Sequence, residues 1–150
     1  MLDVLITAPL RLTHAVLPGM IERGHGAILN VSSIAAHLSN STYAAHKRWV
    51  LEFTHALAGQ LRGTGVTATV VVPGLTHTQF HDRPALQHHK DDSPEFMWLS
   101  AEEVVSAALT GVRRGTVSVT PSVRYAVAGA FAQVTPPSVS RRFQSMRTQR

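Results

Sequence analysis

No cysteine occurs in the 150 residues, which excludes disulfides and thiolate metal sites and fits a reducing, cytoplasmic setting. Charge is sparse as well. Charged residues make up 15% of the chain against 44% hydrophobic, the balance of a packed globular chain and not a disordered one. No contiguous apolar run approaches the length of a membrane span, "YAVAGAFA" being far too short, so no span is expected. The opening residues carry Asp3 and Arg11 and lack a basic segment followed by an apolar block, the pattern of a signal peptide. Internal repeats and the HExxH metal signature are also missing.

Positive charge is in excess. The formal net charge is +5, much of it in the terminal "SRRFQSMRTQR". A basic tail, here about residues 138–150, can bind nucleic acid or anionic lipid with a steep salt dependence. No nucleic-acid motif or aromatic–basic platform accompanies it, so a solvated terminus is the plainer reading and no nucleic-acid partner is expected. Nine histidines invite a metal reading through His77 with His81, or His88 with His89. No carboxylate spacing around them matches a known site, and no metal is expected.

The chain is organised by alternation. "LRLTHAVLPGMIERG" predicts a helix closed by Gly24, with Pro18 as a kink. "GAILNVSS" predicts a buried strand, and "TYAAHKRWVLEFTHALAGQLRGTG" a helix entered through the capping-rich "SNST". "VTATVVVPG" predicts a second strand ended by Pro73 and Gly74. "SAEEVVSAALTGVRRG" opens on a capping box, Ser100 with Glu103, and "TVSVTPS" and "VRYAVAGAFAQV" predict a last strand and helix. Such alternation argues for one α/β domain over residues 1–150, with a parallel sheet of about three strands flanked by helices.

Within the second helix, projection at about 100° per residue gathers Tyr43, Lys47, Val50, Thr54, Leu57 and Leu61 into one stripe. Arg48, Glu52, His55 and Gly59 fall on the other side. A lysine on an inward stripe is costly unless it has a use. One use is chemical. An ammonium about 5 Å from a phenol favours the phenolate by roughly 3 kcal/mol at an effective dielectric near 20. That would bring a phenol from about 10 to about 8, a range useful for proton transfer. The plain alternative is a snorkelling lysine beside a packing tyrosine.

Context favours chemistry. Ser33 ends the first strand in "NVSSIAA", ahead of Tyr43, and "PGLTHT" follows the second strand. A strand ending in NxSS, a helix opening with YxxxK and a strand ending in PGxxxT resembles the short-chain dehydrogenase/reductase family. "RLTHAVLPGMIERGHGAILNVSS" is similar to the family's approach to its catalytic strand, and "FMWLSAEEVVSAAL" with "RRGTVSVTPSVRYAV" resembles the C-terminal portion of a bacterial subgroup.

The resemblance implies a partial Rossmann-type doubly wound sheet and an NAD(P)-dependent oxidoreductase that interconverts a carbonyl and a secondary alcohol. Tyr43 would be the general acid or base. Lys47 would lower its pKa and bind the nicotinamide ribose. Ser33, in preference to Ser32, would hold the substrate oxygen. Pro73, Gly74 and Thr78 would line the nicotinamide pocket, and residues 80–98, with Phe96, Met97 and Trp98, would cover the substrate unless those three simply pack in the core. NADP is favoured over NAD as cofactor, and a homo-oligomer through the first two helices is expected. A catalytically silent interaction module derived from the same family is the alternative.

Departures from the family pattern are specific. The TGxxxGxG turn that would cradle the pyrophosphate and the NNAG segment are both missing. Leu5 stands where the family places an asparagine. The residues therefore resemble the C-terminal half of such an enzyme, with a sheet edge left open beside "GAILNVSS".

Overall fold

The structure, a computed structural model, describes residues 1–38, 41–78 and 94–127. The expected tail about 138–150, the end of the last helix, and His81, His88 and His89 lie outside those residues.

Helix α1, Ala8–Glu22, is entered through a π-helical turn at Asp3–Thr7, so it begins earlier than its apolar pattern predicts. Pro18 sits inside it, and Gly24 ends it at φ 72°. The amide of Gly24 bonds to the Ile21 carbonyl, and that of His25 to Met20. This is the paired closure that a left-handed residue permits at a helix end. Strand β1, Gly26–Val31, follows at once. Helix α2, Thr42–Gln60, is capped by the Ser41 hydroxyl, which accepts from the Ala44 amide at 3.1 Å. Strand β2, Val66–Val71, leads back across the sheet, and helix α3, Ala101–Arg113, carries the full Ser100–Glu103 capping box. Strand β3 is only Ser118–Val119, shorter than "TVSVTPS" suggests, with Pro121 unable to donate to a continued ladder. Residues 123–127 are helical.

Among the described residues the three strands are parallel in the order β1-β2-β3. β2 is central, and Val70, Val71 and Val72 are essentially inaccessible. Side chains alternate along it. Val66, Ala68 and Ile28 pack with Leu57 and Leu61 of α2, supported by Leu17 and Met20 of α1. Thr69 points the other way, toward Gly111 of α3, where any added Cβ would meet Val119 at 2.3 Å. Helices thus cover both faces, as the alternation requires. The stripe expected on α2 is the buried one, with Thr54 fully enclosed and Arg48, Glu52, His55 and Gly59 outward. A further close contact joins the two strand entrances: at Gly65, φ 79°, a Cβ would lie 1.9 Å from the Gly24 carbonyl oxygen.

β1 is an edge strand, and its Leu29 and Val31 side chains are exposed. An open groove of about 370 Å³ runs between Ala27–Asn30 and the Val4, Leu12 and Val16 side of the first helix. One expectation needs correction. Helix Asp3–Glu22 is, by length and composition alone, long and apolar enough to cross a membrane, and almost none of it is buried. Counting contiguous runs missed it because Asp3 and Arg11 interrupt the apolar letters without changing the average.

The capping box gives a direct check of α3. Ser100→Ala should lower stability by about 1 kcal/mol, read as a lower denaturant midpoint with unchanged slope.

Candidate functional site

Parallel strands deliver their C-terminal ends to one rim, where ligands bind in open α/β sheets. The β1 and β2 ends remain zipped beyond the strands. Ser32 donates its amide to the Val71 carbonyl at 2.9 Å, and Ile34 donates to Pro73 at 2.8 Å. Ser33 and the Pro73–Gly74 turn are therefore neighbours.

The helix α2 is fixed to this rim by polar contacts. The buried Ser32 hydroxyl donates to the Lys47 carbonyl at 2.7 Å, and the Lys47 ammonium donates to the Val31 carbonyl at 2.9 Å. Lower on the strand, Asn30 donates to the Thr54 hydroxyl at 2.9 Å, which in turn donates to Val50. Ser32 is thus a structural tie, and its neighbour is the one left facing the cleft. Ser33 caps the short turn Ile34–His37, accepting from the Ala35 amide at 3.2 Å, and its hydroxyl is near enough to the Tyr43 phenol to favour the ionised form. Lys47 lies over the Tyr43 ring, its nitrogen 5.7 Å from the centroid. The structure brings Ser33, Tyr43 and Lys47 together, half-buried, beside Pro73 and Gly74, with Thr78 exposed further along the same segment.

Electrostatics correct one expectation. Burial pushes the Tyr43 phenol above its ordinary value, and the Ser33 hydrogen bond pulls it partly back. Burial also lowers the Lys47 ammonium. The acidified phenol expected from the cation is not what the geometry gives. The ammonium faces the ring instead of the oxygen and is held by the Val31 carbonyl, so desolvation of the phenolate outweighs it.

The aromatic group near the site divides. Trp98 is buried and stacks on His77 at 4.9 Å, while Phe96 is exposed. His77 also pairs with Glu95 at 3.1 Å, and among the described residues no three metal-ligating side chains converge. Leu5, in the entry turn of α1, presents no polar group to the site. Residues 80–93 of the expected substrate cover lie outside the described residues. The sequence reading overlooked Tyr125. Its hydroxyl accepts from the Leu75 amide and donates to the Met97 carbonyl. A lone tyrosine in an apolar helix gives no signal of such a role.

With two tyrosines in the chain, the phenol titration is readable by tyrosinate absorbance. Tyr43 should ionise above the ordinary range near 10, and Ser33→Ala should move it higher still by removing a donor to the phenolate. A Tyr43 that ionises below that range would contradict this geometry.

Comparison with known proteins completes the picture. A family model described as short chain dehydrogenase matches residues 1–88. Sulfoacetaldehyde reductase 2 of Chromohalobacter salexigens is 43% identical over 84 residues, 53% of this chain and 33% of that protein. Serine 3-dehydrogenase of Rhizobium radiobacter is 40% identical over 83 residues, with the same shares. Among solved structures, a 7beta-hydroxysteroid dehydrogenase superposes with a TM-score of 0.78 at 26% identity, covering 97% of this chain and 57% of that one. A Sphingobium yanoikuyae short-chain dehydrogenase in complex with NADPH gives 0.74 at 25%, covering 99% and 55%. The chain thus matches about a third of each curated relative and a little over half of each solved one. A sheet rim built this way, and matched over most of its strands by that family model, places the chain in the short-chain dehydrogenase family.

Proposed function

We propose that this chain carries the acid–base end of a nicotinamide-dependent oxidoreductase that interconverts a carbonyl and a secondary alcohol. The observation that supports it most is the meeting of Ser33, Tyr43 and Lys47 at the strand rim, with the Lys47 ammonium over the Tyr43 ring and tied to the Val31 carbonyl. The residues fit the nicotinamide end of such a cofactor. Lys47 has one donor engaged by Val31, and no carboxylate among the described residues pairs with it, so its other protons remain for ribose hydroxyls. Pro73, Gly74 and Thr78 would supply the nicotinamide wall, on the segment that the Ile34 amide holds through the Pro73 carbonyl. The sequence has no TGxxxGxG turn for the pyrophosphate, so that part of the site is not built from these residues. NADP is the favoured form, in keeping with the NADPH bound by the Sphingobium relative.

When bound, the cofactor supplies the hydride to the carbonyl carbon in reduction and accepts it in oxidation. Ser33 donates a hydrogen bond to the substrate oxygen and fixes it against Tyr43. In reduction the Tyr43 hydroxyl gives its proton to that oxygen as negative charge develops there. In oxidation the Tyr43 phenolate takes the hydroxyl proton. A phenol raised by burial is protonated at neutral pH, so the proton-donating direction is favoured there and alcohol oxidation gains as pH rises. The substrate is a small carbonyl compound or alcohol.

The test is turnover of a ketone panel with NADH and NADPH by the purified chain. Tyr43→Phe should lower kcat/KM by at least about a hundredfold, the range of general acid–base contributions. Undiminished turnover in that variant would remove Tyr43 from the chemistry.

A second reading is favoured by a separate observation. Val4, Leu12 and Val16 of the first helix are 72%, 66% and 42% exposed. This large apolar face, with α2 beside it, suits a homo-oligomer, and a silent interaction module would need no more than that. Sedimentation should then give at least a dimer, shifted to monomer by Leu12→Asp with Val16→Asp. A monomer at the highest soluble concentration would end this reading.

A further inference from the structure

Two segments that the sequence separates widely meet at Tyr125. The first is Pro73–Thr78, which leaves β2 at the rim. The second is Pro94–Leu99, where the chain returns before α3. They form a short parallel pairing, with the Leu99 amide bonded to the Leu75 carbonyl and the His77 amide bonded to the Leu99 carbonyl, each at 2.9 Å. Tyr125, only 7% exposed, closes this pairing from the far end of the chain. Its hydroxyl accepts from the Leu75 amide at 3.1 Å and donates to the Met97 carbonyl at 2.7 Å. Its ring lies flush on Gly74, where a Cβ would come within 2.1 Å of ring carbons. On its other side the first segment is held by the Ile34 amide on the Pro73 carbonyl, one residue from Ser33. His77 stacking on Trp98 and pairing with Glu95 adds a second connection between the segments.

We propose that Tyr125 is a positioning residue for the nicotinamide side of the site, locking Pro73–Thr78 to Pro94–Leu99 so that the cofactor wall and the return of the substrate-side segment are set together. The proposal rests on the nicotinamide reading above. The hydroxyl is needed as donor and acceptor at once, which phenylalanine cannot supply although it fills the same space. Removing it strands one amide and one carbonyl in a mostly buried place. Gly74 has to be glycine because the ring occupies the position of its side chain.

The experiment compares the wild-type chain with Tyr125→Phe, and with Gly74→Ala as an independent way to displace the ring should the first variant fail to fold. Amide hydrogen exchange at Leu75, His77 and Leu99 reads the lock without any cofactor. Exchange there should rise about tenfold in Tyr125→Phe, while the Val70 and Val72 amides, bonded to Val117 and Val119, keep their protection. Titration with NADH and NADPH reads the consequence. Affinity, or cofactor KM where turnover is measurable, should weaken about tenfold with kcat changed less than about twofold and the Tyr43 titration unmoved.

Unchanged exchange at the three amides overturns the lock whatever the cofactor does. Faster exchange with unchanged affinity for both dinucleotides overturns the positioning role and leaves Tyr125 a packing residue. A wild-type chain that binds neither dinucleotide, but shows the expected exchange pattern, overturns the nicotinamide reading itself; the joining of the two segments then stands and its cofactor role falls.

Discussion

The joint between β1 and α2 is the constraint on which the rest depends. Lys47 is tied to the strand twice, its main-chain carbonyl by Ser32 and its ammonium by Val31. Asn30 and Thr54 repeat the tie two turns further along the helix. Hydrophobic packing of Leu57 and Leu61 on Ile28 and Ala68 supplies most of the driving force, but it does not fix the rotation of the helix about its axis. The polar ties do. Each satisfies a group that burial would otherwise penalise, and together they aim the first turn of α2 at the strand rim. Tyr43 meets Ser33 as a result of that aim.

The same joint explains why the phenol is not acidified. A cation alters a neighbour's ionisation according to where its charge sits and how much water lies between them. Here the ammonium is drawn toward a strand carbonyl and lies over the ring face, so the phenol oxygen mainly feels its own loss of solvent. Lys47 contributes more by what it anchors than by its field in this state. Ser33 is the group that favours the ionised oxygen.

Much of this was legible in the letters. Alternating helix and strand patterns, the Ser41 and Ser100 caps, and the inward stripe of α2 all follow from local periodicity and capping chemistry, and the structure has them. The parallel order follows from strand–helix–strand connection. Other features were not legible. The ionisation of Tyr43 depends on the direction of one lysine side chain, which a helical projection leaves open. Tyr125 depends on contacts across 50 and 28 residues, and no periodic pattern encodes such a meeting. The apolar character of Asp3–Glu22 was concealed by interruption, because averages and runs answer different questions. The preference for Ser33 over Ser32 comes from the family resemblance; the structure buries Ser32 and ties it to the Lys47 carbonyl.

β1 remains the feature with the widest consequence. Its outer backbone is unpaired within the described residues, and its Leu29 and Val31 side chains are exposed. Whichever polypeptide reaches it first, whether a matching strand or an unrelated sticky segment, completes the ladder. An edge of this kind favours pairing with further chains as concentration rises, so dilution should reduce it. A lysine placed at position 29 or 31 would act as a gatekeeper and tell the two outcomes apart by clarity of solution.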